Sequence, residues 1–228
     1  MEVQRADARV HLLASFEVWI DGRVLDLKPG SQRLVAFLAL ADRAMERTST
    51  AFRLWPDKSE SRAMANLRSA LWRIRQQSSR LVQITSTHLR LGRGVWVDAR
   101  DGVRDLALPS QAVDPGLVMH AELLPDWYDD WLVTERERLR QVRLHALDAW
   151  CRQLLDEGRY GAAIDMALRT LAVEPLRESA HRLVIEAHLA EGNLGEAIRH
   201  YESCRQLLAD ELGLEPSAEL RSALAVTR

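Results

Sequence analysis

The chain has 228 residues, 47% of them hydrophobic, with 31 basic and 33 acidic side chains and a formal net charge of −2. That length suits one large or two modest domains with real cores, and the charge excludes both a wholly basic nucleic-acid coat and a disordered polyampholyte. No run approaches the roughly 18 apolar residues of a membrane span, and MEVQRADARV lacks the apolar stretch of a signal peptide, so a soluble, cytoplasmic chain with no membrane partner is expected. Cys151 and Cys204 are too few for a disulfide framework or a CxxC metal site. Only Lys28 and Lys58 are lysines, leaving 29 arginines; that bias serves bidentate phosphate and guanine recognition, and arginine codons in a GC-rich genome produce it equally well.

The near-neutral total conceals an asymmetry. Residues 1–100 hold 17 basic and 10 acidic side chains, a net +7, whereas residues 101–228 hold 14 and 23, a net −9. A basic half joined to an acidic half points to a polyanion-binding domain attached to something else.

In chain order, residues 10–27 alternate as strands, with Phe16, Val18 and Ile20 on one face and Asp21-Gly22 as a tight hairpin turn before Val24–Leu27. Pro29-Gly30-Ser31 breaks the strand and offers Ser31 as an N-cap for a helix over 32–42, with Leu34, Phe37, Leu38 and Ala41 on one stripe. A short helix over about 48–55 stops at Pro56, and Ser59 and Ser61 can cap a third over about 62–77. Ala63, Leu67, Ala70, Leu71 and Ile74 of that helix gather on a core face. Arg62, Asn66, Ser69 and Arg73 form a second stripe, Arg68 and Arg75 lie on the other flank, and Trp72 stands opposite the core or packs against a neighbouring element. Arg, Asn and Ser on one exposed face can reach base edges and phosphates in a major groove. A hairpin, 81–85 and 88–91, follows, with Arg90 and Arg93 near its end and a further strand over 95–97. Strands, three helices and a terminal hairpin form the order of a winged helix-turn-helix. Arginine-rich surface helices are more often solvated faces than DNA readers; the +7 charge, the preceding short helix and the following hairpin together favour DNA binding.

Residues 101–126, with Pro109, Pro115, Gly116 and Pro125, read as a linker with at most one short helix. Helical pattern resumes near Trp127. Glu157–Ile164 (EGRYGAAI) and Glu191–Ile198 (EGNLGEAI) then match at an offset of 34, the tetratricopeptide period. Gly158 and Gly192 occupy the tight turns, Ala163 and Ala197 are small enough for close helix approach, and Pro175 ends the first repeat. The second repeat has Ala209 where the first has Pro175, and its proline comes only at Pro216, so its last helix is longer; 217–226 can cap the array. Such stacks bind peptides or other domains, or serve only as scaffolds.

No GxxxxGK[ST], strand-linked GxGxxG, HExxH or GxSxG occurs, and the seven histidines are scattered. No catalytic residue, metal ligand or cofactor site is assigned, and an enzyme has nothing specific to stand on.

FEVWIDGRVLDLKPGSQRLVAFLAL, LWPD and SRAMANLRSALWRIRQQ together resemble the OmpR-type winged helix of the SARP-family transcriptional regulators (the Streptomyces antibiotic regulatory proteins). ELLPDWYDDWLVTERERLRQVRLHALDAW, PLRESAHRLVIEAHLAEGN and LLADELGLEPS resemble the bacterial transcriptional activation domain found beside it. The resemblance runs from about Val10 to Leu224, with LWPD and LADELGLEPS its most specific pieces.

It implies a bacterial, actinobacterial-type activator that binds direct repeats in double-stranded DNA near promoters and contacts RNA polymerase, with a homodimer among its partners. On the helix that would enter the major groove it places Asn66, Ser69, Trp72, Arg73 and Arg75, and in the wing region Arg90 and Arg93. The expected architecture is an α+β winged helix-turn-helix over 1–99, a linker over 100–126, short for this family, and an all-α tetratricopeptide-like repeat domain over 127–228. With neither a nucleotide-binding module nor a phosphoacceptor domain in the sequence, the likeness is to the small members. DNA-binding residues are accordingly expected at Arg62, Asn66, Arg68, Ser69, Trp72, Arg73, Arg75, Arg90 and Arg93. The rival is a protein-interaction adaptor, whose repeats bind a partner and whose winged helix is a scaffold; a third reading is a ligand-sensing regulator with a pocket between repeats.

Overall fold

The computed structural model describes residues 8–106 and 121–225. Two small sheets frame the first part of the chain. One has the order β3-β2-β1-β7, from β1 (Ala8–His11), β2 (Glu17–Ile20), β3 (Arg23–Val24) and β7 (Trp96–Val97). The other has the order β4-β6-β5, from β4 (Met45–Glu46), β5 (Val82–Ile84) and β6 (His88–Leu91). Neighbouring strands are antiparallel except β7, which joins β1 in parallel with Val97 beside Val10. Between β2 and β3, Asp21 and Gly22 both have positive φ (48° and 77°), as a two-residue hairpin turn matched to strand twist requires. Val18 and Ile20 are buried as their alternation predicts, while Phe16 stacks on Trp127 with ring centroids 5.6 Å apart.

Three helices follow: α1 (Pro29–Ala41), α2 (Arg47–Leu54) and α3 (Glu60–Gln77). Helix α1 starts earlier than expected, because Pro29 at its first position has φ preset for a helix and no N–H to satisfy. Ser31 is therefore not the N-cap: it is buried in the first turn, and its Oγ donates to the carbonyl of Ala70 on α3 at 3.3 Å. Nor is the burial a single stripe. Leu34 through Leu40 are all buried, as befits a helix enclosed on all sides. Glu46 caps α2 by accepting from the N–H groups of Thr48 and Ser49 at 2.9 and 2.5 Å, bonds that hold its carboxyl down at about 2. Ser59 precedes α3, but its hydroxyl pairs with Ser61 rather than with a helix N–H.

The β5–β6 hairpin is the wing. At its root Gly92 lies so close to the turn that leads into β5 that a Cβ there would stand 1.9 Å from the carbonyl oxygen of Arg80, so only glycine fits. Beyond β7, a π-helical turn (Asp98–Gly102) and α4 (Val103–Leu106) occupy the start of the segment read as a linker. The buried Asp98 carboxylate accepts from the backbone N–H groups of Leu12 (2.8 Å), Leu13 (3.1 Å) and Ala99 (2.6 Å). On the other side of the same stretch, Leu124 donates to the Leu12 carbonyl at 2.9 Å and Ala14 to that of Glu122 at 2.8 Å. Arg136 then holds the carbonyls of Leu123, Leu124 and Trp127, and Phe37 meets Trp131 edge-on at 5.4 Å.

Helix α5 (Asp130–Asp156) is followed by α6 (Tyr160–Val173), α7 (Glu178–Ala190), α8 (Leu194–Leu212) and α9 (Ala218–Ala225). Among the described residues, the chain divides into a compact unit of 8–103 with 121–139 and a second of 104–106 with 140–225. The second unit repeats itself. Gly158 and Gly192 have φ of 71° and 81°, and the residue after each donates back to a carbonyl five residues earlier, Arg159 to Leu154 and Asn193 to His188. Ala163 and Ala197 are fully buried. Pro175 lies between α6 and α7, and α8, at 19 residues, is longer than α6 at 14.

Two buried positions that are apolar in the first repeat are histidines in the second and meet one another. Leu147 and Met166 are buried in the first; 34 residues on stand His181 and His200. His181 Nε2 donates to the carbonyl of Pro175 at 2.8 Å, which leaves Nδ1 to accept the N–H of His200 at 3.0 Å. Burial lowers the pKa of both rings, and the nearby His181 and His188 help push His200 down to about 4.

Asp98→Ala strands the N–H groups of Leu12 and Leu13 and should cost roughly 3 kcal/mol in urea unfolding, with Asp98→Asn, which keeps one acceptor, less damaging. His200 remains neutral in the folded chain down to about pH 4, and burial holds His181 below its ordinary range as well, whereas the unfolded histidines take up protons below about 6.5. Stability should thus be fully present above that value and decline toward pH 4; the double substitution His181→Leu, His200→Met should flatten that decline in melting curves taken across the window.

Candidate nucleic-acid interface

Helix α3 is oriented by its own apolar stripe. Ala63, Leu67, Ala70, Leu71 and Ile74 are buried, and at 100° per residue this fixes what points away. Ser69, Trp72 and Gln76 stand on or beside the outward midline. Arg62 and Arg73 flank it on one side, and Arg68 and Arg75 on the other. Arg62, Arg68, Ser69, Trp72, Arg73 and Arg75 are exposed, Trp72 to 64%; Asn66, nearer the core, is half-buried. The second stripe read from the sequence is one edge of a broader polar face.

The electrostatics of that face differ from those of the second unit. There Arg159, Arg169, Arg177, Arg199 and Arg205 each sit against a carboxylate, Glu157, Asp165, Asp148, Glu196 and Glu202 respectively. Arg62, Arg68, Arg73, Arg75, Arg90 and Arg93 have no ion-pair or hydrogen-bond partner among the described residues. Their charge is balanced only by solvent ions, the condition under which a polyanion binds by displacing them.

The structure separates the expected residues into two groups. Arg75 lines a recess between α3 and the wing with Leu71, Ser78, Gln83 and Ile84, joining the helix face to β5. Arg90, beside Gln83 on the outer face of the hairpin, and Arg93, in the turn Gly92–Gly94, line a different recess with Arg43 and Arg100 at the end of α1. In it Arg100 is engaged by Asp42 and Asp101, which leaves Arg43, Arg90 and Arg93 without carboxylate partners. The wing tip, Thr85–Thr87, is exposed and carries hydroxyls, with Thr87 Oγ1 2.9 Å from His88 Nδ1. Sequence reasoning passed over three features of these surfaces. Gln76 was findable, one helical turn beyond Trp72. The tip hydroxyls were legible only as a polar turn. Arg43 comes near Arg90 only in the folded chain, where β4 pairs with β6 and both residues line one recess.

Among the described residues no cluster of three or more His, Cys, Asp or Glu could hold a metal ion, and no helix is long and apolar enough to cross a membrane. The arrangement offers charge, hydrogen-bond donors and one aromatic ring on a convex helix.

Comparison with known proteins gives this face its context. The family model described as bacterial transcriptional activator domain matches residues 110–225. The chain is 31% identical over 241 aligned residues to the regulatory protein AfsR of Streptomyces coelicolor, covering 96% of this chain and 24% of that protein. It is 34% identical over 86 residues to AfsR of Streptomyces griseus, covering 38% of this chain and 9% of that one. The chain thus spans about a quarter or less of the length of these curated relatives. Its fold is similar to that of Mycobacterium tuberculosis EmbR, solved in complex with a low-affinity phosphopeptide, with a TM-score of 0.75, 20% identity, and coverage of 96% of this chain and 64% of that one. With a β-containing winged helix leading into helical repeats that this family model matches, the chain belongs to the bacterial transcriptional activator domain family.

Proposed function

We propose that the chain is a sequence-specific DNA-binding activator, not an enzyme, that recognises direct repeats near promoters. Residues 1–99 supply DNA affinity, and residues 127–228, beyond the segment 100–126, supply contacts to RNA polymerase or to a second copy of the chain. The observation that carries this reading is the outward face of α3, where four exposed arginines without carboxylate partners among the described residues flank Ser69 and Trp72. In an isolated protein, like charges so gathered repel one another; a phosphate backbone supplies the missing counter-charge, and the groove it borders accepts a helix. Asn66, Ser69, Trp72 and Arg73 read bases, while Arg62, Arg68 and Arg75 hold phosphates beside them. Arg90 and Arg93, with Arg43, form a second cationic contact at the root of the wing.

The first test is retention of genomic fragments by the purified protein at two salt concentrations. A few promoter fragments sharing short direct repeats at both salts support the proposal; diffuse recovery that vanishes at the higher salt, or none, overturns it. With the operator in hand, Arg73→Ala should weaken binding by about 1–3 kcal/mol and relax preference at one base pair. Arg75→Ala and Arg90→Ala should instead weaken binding to all sequences alike and lower the slope of log affinity against log salt by about 1 each. Titrations of the three variants against operator and scrambled duplexes separate these outcomes.

A further inference from the structure

Trp72 is the misfit of the α3 face. It stands opposite the buried stripe, 64% exposed, among Arg68, Ser69, Arg75 and Gln76, the residues one turn before and after it. Four other indoles of the first unit have partners: Trp19 donates to Glu17, Trp96 lies against His11 and Arg9, Trp127 stacks on Phe16, and Trp131 meets Phe37, while Trp55 is half-buried beside Gly30. Trp72 has neither a ring partner nor a hydrogen bond among the described residues. Most of its ring is left to solvent, and its place at the centre of the polar face is where a helix seated in a major groove comes closest to the base edges.

An indole brings two capacities to that groove, a large apolar surface and a single N–H donor. It cannot make the bidentate contacts by which Arg reads guanine or Asn and Gln read adenine. Of the four bases, thymine alone displays in the major groove an apolar methyl group together with an acceptor, O4. We propose that Trp72 is a specificity-determining residue that packs its indole against the 5-methyl group of a thymine, so that the operator carries T at one fixed position of each half-site. The inference rests on the DNA-binding reading above and adds to it the identity of one base. It also assigns the apolar part of recognition to one side chain, with Arg68, Ser69, Arg75 and Gln76 placed to meet the neighbouring positions.

The test removes the methyl and nothing else. A duplex selected by the full chain from random-sequence DNA is remade with each thymine in turn replaced by deoxyuridine, which preserves base pairing and O4. The unaltered chain should lose about fourfold in affinity at one position per half-site, the worth of one buried methyl group, and little elsewhere. Trp72→Ala should bind the parent duplex more weakly and be indifferent to the T-to-U change at that position. Trp72→Phe, which keeps an apolar ring, should retain the sensitivity. Because the side chain is exposed, circular dichroism of both variants should match the parent chain. If no replacement costs the unaltered chain affinity, or if the cost persists undiminished in Trp72→Ala, the assignment is wrong while selective DNA binding stands. If the chain selects no sequence at all, the assignment falls together with the DNA-binding reading.

Discussion

The buried carboxylate of Asp98 is the contact on which the first unit's arrangement depends. Strand β1 is paired on both sides, but its continuation at Leu12 and Leu13 runs into the interior, where backbone N–H groups need acceptors. Asp98, immediately after β7, supplies them from 86 residues away. That bond fixes where β7 ends, and β7 is the strand into which the wing runs through the turn at Gly92–Gly94. The carbonyl of Leu12 meanwhile receives Leu124, so one short stretch ties the first sheet to the root of the wing and to the segment that begins α5. A surface ion pair could be lost at little cost; a buried carboxylate with three backbone donors cannot.

Within this frame the two halves of the chain use arginine differently. In the second unit most guanidinium groups are neutralised by carboxylates on the same or an adjacent helix, and they support packing, as Arg177 does by bridging to Asp148 beside Ser179. On α3 and the wing they are left uncompensated among the described residues. A composition equally compatible with codon bias and with phosphate recognition therefore divides by location: the partner of each arginine, not the number of arginines, separates a structural charge from one free for a ligand.

The sequence family and the compact unit draw different lines. The matched family segment begins at residue 110, whereas the described residues 121–139 pack with the winged helix through Arg136, Trp127 and Trp131. Helix α5 contributes its first ten residues to one unit and the remainder to the other. Sequence similarity follows what is inherited together; compactness follows which apolar and hydrogen-bonding groups close on one another. Here Arg136, satisfying three carbonyls of the chain before it, holds the start of the family segment against Phe16 and Phe37.

Much of this was legible in the residues because it is local. The positive-φ turn at Asp21-Gly22, the apolar stripe of α3, the hairpin after it and the 34-residue spacing of the two EG turns each depend on neighbours within a few positions, and the motifs LWPD and LADELGLEPS identified the family. What tertiary structure alone decided involves distant partners. Ser31, an apparent cap, is drawn under α3 because Pro29 starts the helix earlier and Ala70 offers a carbonyl. Arg43 reaches the neighbourhood of Arg90 and Arg93 only when β4 pairs with β6. His181 and His200 look scattered until α7 and α8 bring their rings to one hydrogen bond. The outward direction of Trp72 could be read from the helical period, but its lack of a ring or hydrogen-bond partner among the described residues could not, since that depends on every element that might have covered it. Periodicity determines which face a residue occupies; only the packed chain decides what, if anything, meets that face.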